Sequence, residues 1–132
     1  MRQIKFRGKE TSKPHRWVTG HYYEENGASF IWVKGKMKNW PIEVDAETVG
    51  QFTGLLDKNG KEIYESDIIL LGKNKTYTAQ IVYRNDSLRI YSVGGYFIGD
   101  LDYIRQCGID YCEVIGNIHD NPEMVDEIKE KV

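Results

Sequence analysis

The 132-residue sequence contains no apolar run that approaches the roughly 20 residues needed to cross a bilayer. Its N-terminus lacks the apolar segment of a secretory signal peptide. Cysteine is scarce, with only Cys107 and Cys112, and the default for such a chain is free thiols in a reducing cytosol. We therefore expect a cytoplasmic protein that does not contact membranes.

Recognisable metal sites are also missing. A structural zinc site needs four ligands at a suitable spacing, and only His119 accompanies Cys107 and Cys112, so we expect packed free thiols. The run Asp57–Gly60 is similar to the start of a calcium loop, but its glycine is fourth instead of sixth and the twelfth residue is Ile68 instead of glutamate. We expect a turn there, and neither a metal nor any other cofactor.

No catalytic constellation stands out from the sequence. Glu62, Glu65 and Asp67 flank a predicted strand, and Glu65 and Asp67 could share one of its faces, as paired acid–base carboxylates do. The alternative is structural, with Asp67 accepting hydrogen bonds from turn amides at the entry to the strand. Because no catalytic partner accompanies the pair, we expect that the protein is not an enzyme.

Length and composition favour a single soluble domain over residues 1–132. A hydrophobic content of 40% and a charged content of 29% suit a globular chain and not a disordered one. A chain of this length buries roughly two-thirds of its unfolded surface, which is enough for a core.

The densest turn chemistry lies in the middle of the chain, in residues 48–71. Asp57 can accept from backbone amides two residues on, and Gly60 tolerates a positive φ, so the segments around Leu55 and Tyr64 should pair as a hairpin. The aliphatic run Ile68–Leu71 then predicts a strand that is buried on both faces.

Further short strands are predicted on both sides of this hairpin. Ile4 and Phe6 alternate with Lys5 and Arg7, which favours a half-buried strand that ends at Gly8. Asn26-Gly27 predicts a two-residue hairpin turn. The other segments of β-type composition are residues 17–23, 30–33, 40–44, 76–83, 88–93, 96–98 and 111–118.

Two helices complete the prediction. A short one is expected at 101–107 with Asp100 as its cap, and a second begins at Asn121-Pro122. The apolar stripe of the second helix consists of Met124, Val125, Ile128 and Val132. The pattern predicts a mainly β fold, either a partly closed β-barrel or two packed small sheets, with a C-terminal helix.

Positive charge and aromatic residues are concentrated near the N-terminus. Residues 1–40 hold nine Lys/Arg against three Asp/Glu, a net +6, and residues 41–132 hold nine against seventeen, a net −8. Aromatic rings interleaved with cations hold single-stranded nucleic acid, whereas aromatics at every second position equally form a core or a subunit contact. The residues that we expect to contact nucleic acid or a partner are Arg16, Trp17, Trp32, Lys34, Lys36, Lys38 and Trp40.

Three separated motifs carry a family resemblance. Arg2–Gly8 with Trp17–Gly20, Asp45–Ile68, and Glu113–Glu123 resemble, in the right order, the YopX family of phage and prophage proteins. The resemblance implies a mainly β, YopX-like fold, a phage-related origin and a place in the bacterial host cell, and it supplies no catalytic residues. The family usually carries glycine at the position of Ser66, which suggests that the turn there does not need a positive φ.

Besides an enzyme with Glu65 and Asp67 at its centre, two functions remain open from the sequence. The first is a phage- or prophage-derived, non-enzymatic binding or assembly module that forms a homo-oligomer. The second is an accessory protein that binds nucleic acid through its basic, aromatic N-terminal third. The overall net charge of −2 favours the first.

Overall fold

The computed structural model describes residues 3–35, 39–72, 77–84, 86–107 and 111–125. These residues are mainly β, in short antiparallel strands, as predicted. The strands are β1 (Phe6–Lys9), β2 (Trp17–Glu25), β3 (Ala28–Lys34), β4 (Asn39–Val44), β5 (Gly50–Leu56), β6 (Glu62–Tyr64), β7 (Asp67–Leu71), β8 (Tyr77–Arg84), β9 (Ser87–Ser92), β10 (Phe97–Asp100) and β11 (Cys112–Asn117). A 3-10 helix spans Ala46–Thr48 and α1 spans Leu101–Cys107. No helix within these ranges is long and apolar enough to cross a membrane.

The chain divides into two compact units, residues 1–54 and 55–132. In the first unit the strand order is β4-β3-β2-β1-β5, and each neighbouring pair is antiparallel. The predicted two-residue turn between β2 and β3 is confirmed, because Asn26 and Gly27 have φ angles of 52° and 81°. Both positive angles match the right-handed twist of the strands that the turn joins.

The first sheet curls so that the end of β4 returns to the end of β1. The Thr11 amide donates to the Glu43 carbonyl at 3.1 Å, and the Asp45 amide donates to the Lys9 carbonyl at 2.9 Å. Ile31 and Val44 are buried in this unit. The curl does not close into a barrel over the residues that the structure describes, so two sheets, not a barrel, are the architecture of the chain.

In the second unit the strand order is β10-β9-β8-β7-β11. Ile68 packs with Val93 and Val125, whereas Ile69 and Leu71 pack into a separate, larger cluster around Ile90. All of these side chains are buried. The prediction that residues 68–71 form a strand covered on both faces is therefore confirmed.

The hairpin between β5 and β6 is also confirmed, and its turn is attached to the last strand. Asp57 is buried, and its carboxylate accepts from the backbone amides of Asn59 at 2.8 Å, Lys61 at 2.9 Å and Val114 at 2.9 Å. The Lys58 amide donates to the Cys112 carbonyl at 2.9 Å. The turn therefore covers part of the outer edge of β11.

Both predicted helices begin where expected. The Asp102 amide donates to Asp100 Oδ1 at 3.0 Å, which is the predicted cap of α1. Residues 123–125 are helical, and Val125 is buried, as the apolar stripe requires. The remainder of the predicted C-terminal helix, with Ile128 and Val132, lies outside the described residues.

The first strand is present, but it runs from Phe6 to Lys9 instead of ending at Gly8, and its burial does not follow the alternation of apolar and charged residues. Ile4 is 61% exposed and lies before β1, whereas Arg7 is only 9% exposed. Arg7 is covered because its guanidinium lies over the Trp17 ring, 4.7 Å from the centroid. An arginine over an aromatic ring can be covered while its guanidinium stays charged, and a simple polar–apolar alternation does not anticipate this.

The prediction for Ser66 is also wrong, because its φ is 77°. The Ser66 amide donates to the Ile81 carbonyl at 2.8 Å, and its carbonyl accepts from the Ile118 amide at 3.0 Å. These bonds to β8 and to the segment after β11 fix the turn in the left-handed region although serine is disfavoured there.

We expect Ser66→Gly to stabilise the protein by about 1 kcal/mol, because glycine adopts this φ without a Cβ clash. The melting temperature should rise by about 4 °C in a thermal unfolding experiment. Ser66→Ala is the control, since alanine keeps the Cβ and loses the hydroxyl. Equal effects of the two substitutions would show that the hydroxyl, and not the backbone angle, is responsible.

Candidate nucleic-acid or partner interface

The register of the first sheet places aromatic rings and cations of several strands on one side. Paired residues of antiparallel strands share a face, and so do residues two apart on one strand. Trp32 pairs with His21, Phe30 with Tyr23, and Lys9 with Trp17. We call this side of the sheet the aromatic–cationic face; its aromatic and basic residues are Lys5, Arg7, Lys9, Trp17, His21, Tyr23, Phe30, Trp32, Lys34 and Phe52, of which Arg7 and Phe52 are buried.

Three cations of this face lie over aromatic rings. The Arg7 guanidinium and the Lys9 ammonium both lie over Trp17, at 4.7 Å and 5.7 Å from the ring centroid, and the Lys5 ammonium lies 5.0 Å from the centroid of Phe52. These distances are within the range of cation–π attraction. The contacts hold positive charge close to the sheet instead of leaving it at the ends of free side chains.

An aromatic cluster continues the face across β2 and β3. The rings of Tyr23 and Phe30 are stacked, with centroids 5.2 Å apart and an interplanar angle of 16°, and Tyr23 and Trp32 are tilted at 6.5 Å. Tyr23 and Phe30 are half-buried, and Trp32 is 39% exposed. The cluster therefore presents a rigid ring surface with one indole open to solvent.

The structure brings only part of the predicted contact set together. Trp17, Trp32 and Lys34 lie on the aromatic–cationic face. Trp40 lies on the opposite side of the sheet, because it pairs with Val33 and not with Trp32. Lys36 and Lys38 lie outside the described residues.

Arg16 serves a different contact. Its Nε lies 3.4 Å from Oε2 of the buried Glu10, and its backbone amide donates to the same oxygen at 2.7 Å. The backbone hydrogen bond and then the side-chain hydrogen bond from Arg16 lower the pKa of the Glu10 carboxyl. Arg16 therefore fixes the segment after β1, although its own side chain is exposed.

The predicted contact set omitted several residues of the face, among them Lys5, Arg7, Tyr23 and Phe30. Their types are visible in the sequence, but which of them share a side depends on the pairing of three strands. The turn at Asn26-Gly27 fixes the register of β2 with β3, so the pairing of Tyr23 with Phe30 on one face could have been predicted from the sequence. The burial of Arg7 could not be predicted, because it depends on the contact with the Trp17 ring that the pairing of β1 with β2 creates.

The carboxylates considered for acid–base chemistry do not share a strand face. Glu65 lies in the turn before β7, and Asp67 is the first residue of β7. Asp67 is buried and accepts from the Tyr64 amide at 2.7 Å, as the structural alternative predicted. The Tyr64 hydroxyl donates to Glu62 at 3.0 Å.

The thiols and histidines do not assemble a metal site among the residues that the structure describes. No group of three or more His, Cys, Asp and Glu in these ranges is arranged to hold a metal ion. Cys112 is a free thiol, fully buried in the core of the second unit. The side chain of Cys107 lies outside the described part of the chain.

Short antiparallel strands in two sheets, with an aromatic–cationic face on the first, define a small β-sheet protein. A family model described as YopX protein matches residues 5–126. The chain belongs to the YopX family, and the resemblance of its three motifs is confirmed.

A solved structure supports the same fold. The crystal structure of protein EF1440 from Enterococcus faecalis matches with a TM-score of 0.54 at 24% sequence identity, over 95% of this chain and 99% of that one. At this identity the likeness concerns the fold alone. No curated protein matches the chain.

Proposed function

We propose that this YopX-family protein is a non-enzymatic binding module that holds single-stranded nucleic acid on its aromatic–cationic face. The observation that carries the proposal is the combination of the Tyr23–Phe30–Trp32 cluster with cations fixed over neighbouring rings. Bases stack on exposed aromatic rings without regard to sequence, and nearby cations contact the phosphates. The proposal includes the phage or prophage origin and the bacterial cytoplasm that the family resemblance implies.

The local charge supports this surface in spite of the acidic chain. The aromatic–cationic face carries Lys5, Arg7, Lys9 and Lys34 against Glu25 and Glu43, which the same strand pairing places on this side, so these four cations and two carboxylates leave a net charge of +2 over its described residues. A phosphate backbone responds to the potential of the surface that it approaches, and this potential is set within about 10 Å at ordinary salt. The net charge of −2 therefore limits the affinity without excluding the site.

Trp32 and Trp40 provide a matched test, because each is 39% exposed and they lie on opposite sides of the sheet. Binding of a labelled oligo(dT) of about 20 nucleotides is measured by fluorescence anisotropy. Trp32→Ala should weaken binding roughly tenfold, since one stacked base contributes about 1–3 kcal/mol. Trp40→Ala should leave the affinity unchanged.

Salt dependence checks the cations of the same face. Lys34→Gln should lower the slope of log affinity against log salt by about 0.7, the value for one phosphate contact on a single strand. Equal losses for both tryptophan variants, or binding that does not respond to salt, would contradict the proposal. Absence of binding to DNA and RNA at micromolar protein would also remove it.

A second candidate function, assembly into a homo-oligomer, is favoured by the edge of the second sheet. β10 is the last strand in the sheet order, and it carries Phe97 next to Tyr96, which are 57% and 69% exposed. An edge strand with exposed aromatic residues can pair with the same strand of a second copy about a two-fold axis.

Sedimentation velocity at micromolar concentration tests this assembly. A dimer that dissociates in Phe97→Ser would support it. Trp40→Ala is the control, because it removes an exposed aromatic side chain that does not lie on β10 and should leave the dimer intact. A wild-type protein that stays monomeric across the concentration series would reject assembly through β10.

A further inference from the structure

A groove in the first unit lies at the junction where the curled sheet returns on itself. It has a volume of about 660 Å³, and it is lined by three segments: residues 9–15, the hairpin turn at 27–29, and residues 43–48. This volume is in the range of small-molecule sites. The groove adjoins the aromatic–cationic face at Lys9 but includes none of its aromatic rings.

Hydrogen bonds join residues 9–15 to residues 43–48, and the strand pairing of Ser29 with Val44 joins the hairpin to the same segment. The Lys9 amide donates to Thr48 Oγ1 at 2.9 Å, and this hydroxyl donates to the Asp45 carbonyl at 2.6 Å. Glu10 pairs with Val44 in a single antiparallel bridge. On the hairpin side, the buried Ser29 hydroxyl lies 3.2 Å from that of Tyr22. A site held in this way is formed before a ligand arrives, which reduces the entropic cost of binding.

The charge of the lining is negative. Among the residues that the structure describes, Glu10, Glu43 and Asp45 line the groove, and Lys9 is the one lysine or arginine there. The Lys9 ammonium lies over the Trp17 ring, which holds it toward the aromatic–cationic face. The backbone and side-chain hydrogen bonds from Arg16 lower the pKa of Glu10, and the Arg16 guanidinium pairs with this carboxylate, so the negative charge of the lining rests on Glu43 and Asp45.

The lining also has apolar parts. Ala28, Val44 and Ala46 contribute aliphatic groups between the carboxylates. Within the described residues, Glu43 and Asp45 form no ion pair, and both are exposed. An elongated ligand with a methylene chain and a terminal positive charge would match the apolar and the acidic parts at the same time.

We propose that this groove binds an alkyl ammonium or guanidinium group. This chemistry has two sources, a free polyamine and a basic side chain of a polypeptide, and the same groups would recognise both. Glu43 and Asp45 would contact the charge, and Val44 with Ala28 would contact the methylene chain.

An amide-resolved NMR titration of the full chain at about 0.15 M salt tests the site with two probes, spermidine and a pentalysine peptide. Each should shift the amides of residues 9–11, 27–29 and 43–48. A neutral diol with the same chain length as spermidine should shift none of them. Binding of spermidine alone would assign the site to free polyamines, and binding of the peptide alone would assign it to a basic side chain.

The double substitution Glu43→Gln with Asp45→Asn should weaken binding about tenfold, since each exposed carboxylate contributes a few-fold. These changes keep the side-chain size, and asparagine preserves an acceptor for the Glu47 amide that Asp45 now caps. Glu25→Gln is the control, because Glu25 is an exposed carboxylate of the same hairpin that does not line the groove. No shift with either probe, equal shifts with the diol, or an equal loss in Glu25→Gln would overturn the proposal.

Discussion

Replacing Asp57 by alanine should lower the free energy of unfolding by about 3 kcal/mol and the melting temperature by roughly 10 °C. The carboxylate is buried and accepts from the amides of Asn59, Lys61 and Val114. Alanine leaves these donors without their acceptor, and a buried unsatisfied amide costs about 1–3 kcal/mol. Thermal and urea unfolding followed by circular dichroism measure the loss.

Asp102→Ala is the matched control for this substitution. Asp102 is also an aspartate in a hydrogen bond, to Arg105, but both side chains are largely exposed. We expect its removal to change the unfolding free energy by less than about 0.5 kcal/mol. A similarly small effect of Asp57→Ala would show that water replaces the carboxylate and that the turn does not depend on it.

The contribution of Asp57 to the free energy of unfolding should decrease at low pH. Burial raises the pKa of this carboxyl, but the hydrogen bonds from Val114, Lys61 and Asn59 outweigh it, so the pKa lies below the ordinary value of 3.8. A group with a lowered folded-state pKa stabilises fully above its unfolded-state pKa and loses this contribution as pH falls through the folded-state value. The stability difference between wild type and Asp57→Ala should therefore be constant from neutral pH to about pH 5 and shrink below about pH 4. A difference that grows on acidification would contradict the assignment.

Gly20→Ala should have an effect of similar size and lower the free energy of unfolding by about 3 kcal/mol. Gly20 lies in β2, and a Cβ at this position would collide with the backbone carbonyl oxygen of Trp32 in β3 and come within 3.2 Å of Ile31 Cγ2. A carbonyl within a sheet cannot rotate away as a flexible side chain can. Relief would require β2 and β3 to separate, which disturbs the aromatic–cationic face as well as the core. Denaturant unfolding gives the loss, and the oligo(dT) affinity should fall with it.

Gly27→Ala is the control in the same hairpin. Gly27 has a φ of 81°, and a methyl group added there would meet no other atom within 4 Å, so alanine has only the backbone-angle cost of about 1 kcal/mol. If Gly20→Ala costs no more than Gly27→Ala, the two strands accommodate a methyl group and the close approach of Trp32 is not required.

Local chemistry predicted the turns and the central strand. The sequences Asn26-Gly27 and Asp57–Gly60 specify backbone angles that few other residues adopt, and residues 68–71 are too apolar to be exposed. The prediction for Ser66 was wrong for a different reason. The φ of Ser66 is imposed by bonds to Ile81 and Ile118, which are distant in the sequence.

The sequence predicted the residue types of the candidate interface but not which individual residues belong to it. An excess of aromatic and basic residues near the N-terminus is visible without a structure. Which of them share a side depends on register, and a difference of one position places Trp40 opposite to Trp32. The acidic groove was not predictable, because its carboxylates come from segments more than 30 residues apart that meet only when β4 returns to β1.

The bond between Asp57 and Val114 spans 57 residues, and it bears on how the molecule is made. During synthesis the Asp57–Gly60 turn leaves the ribosome long before β11, and β7 can pair with β8 at once but must wait for its other neighbour. Until then one edge of β7 is an open template for foreign strands, and long-range pairing of this kind is the slow part of folding. Nascent chains that stall before residue 112 are therefore the species that a chaperone would need to protect.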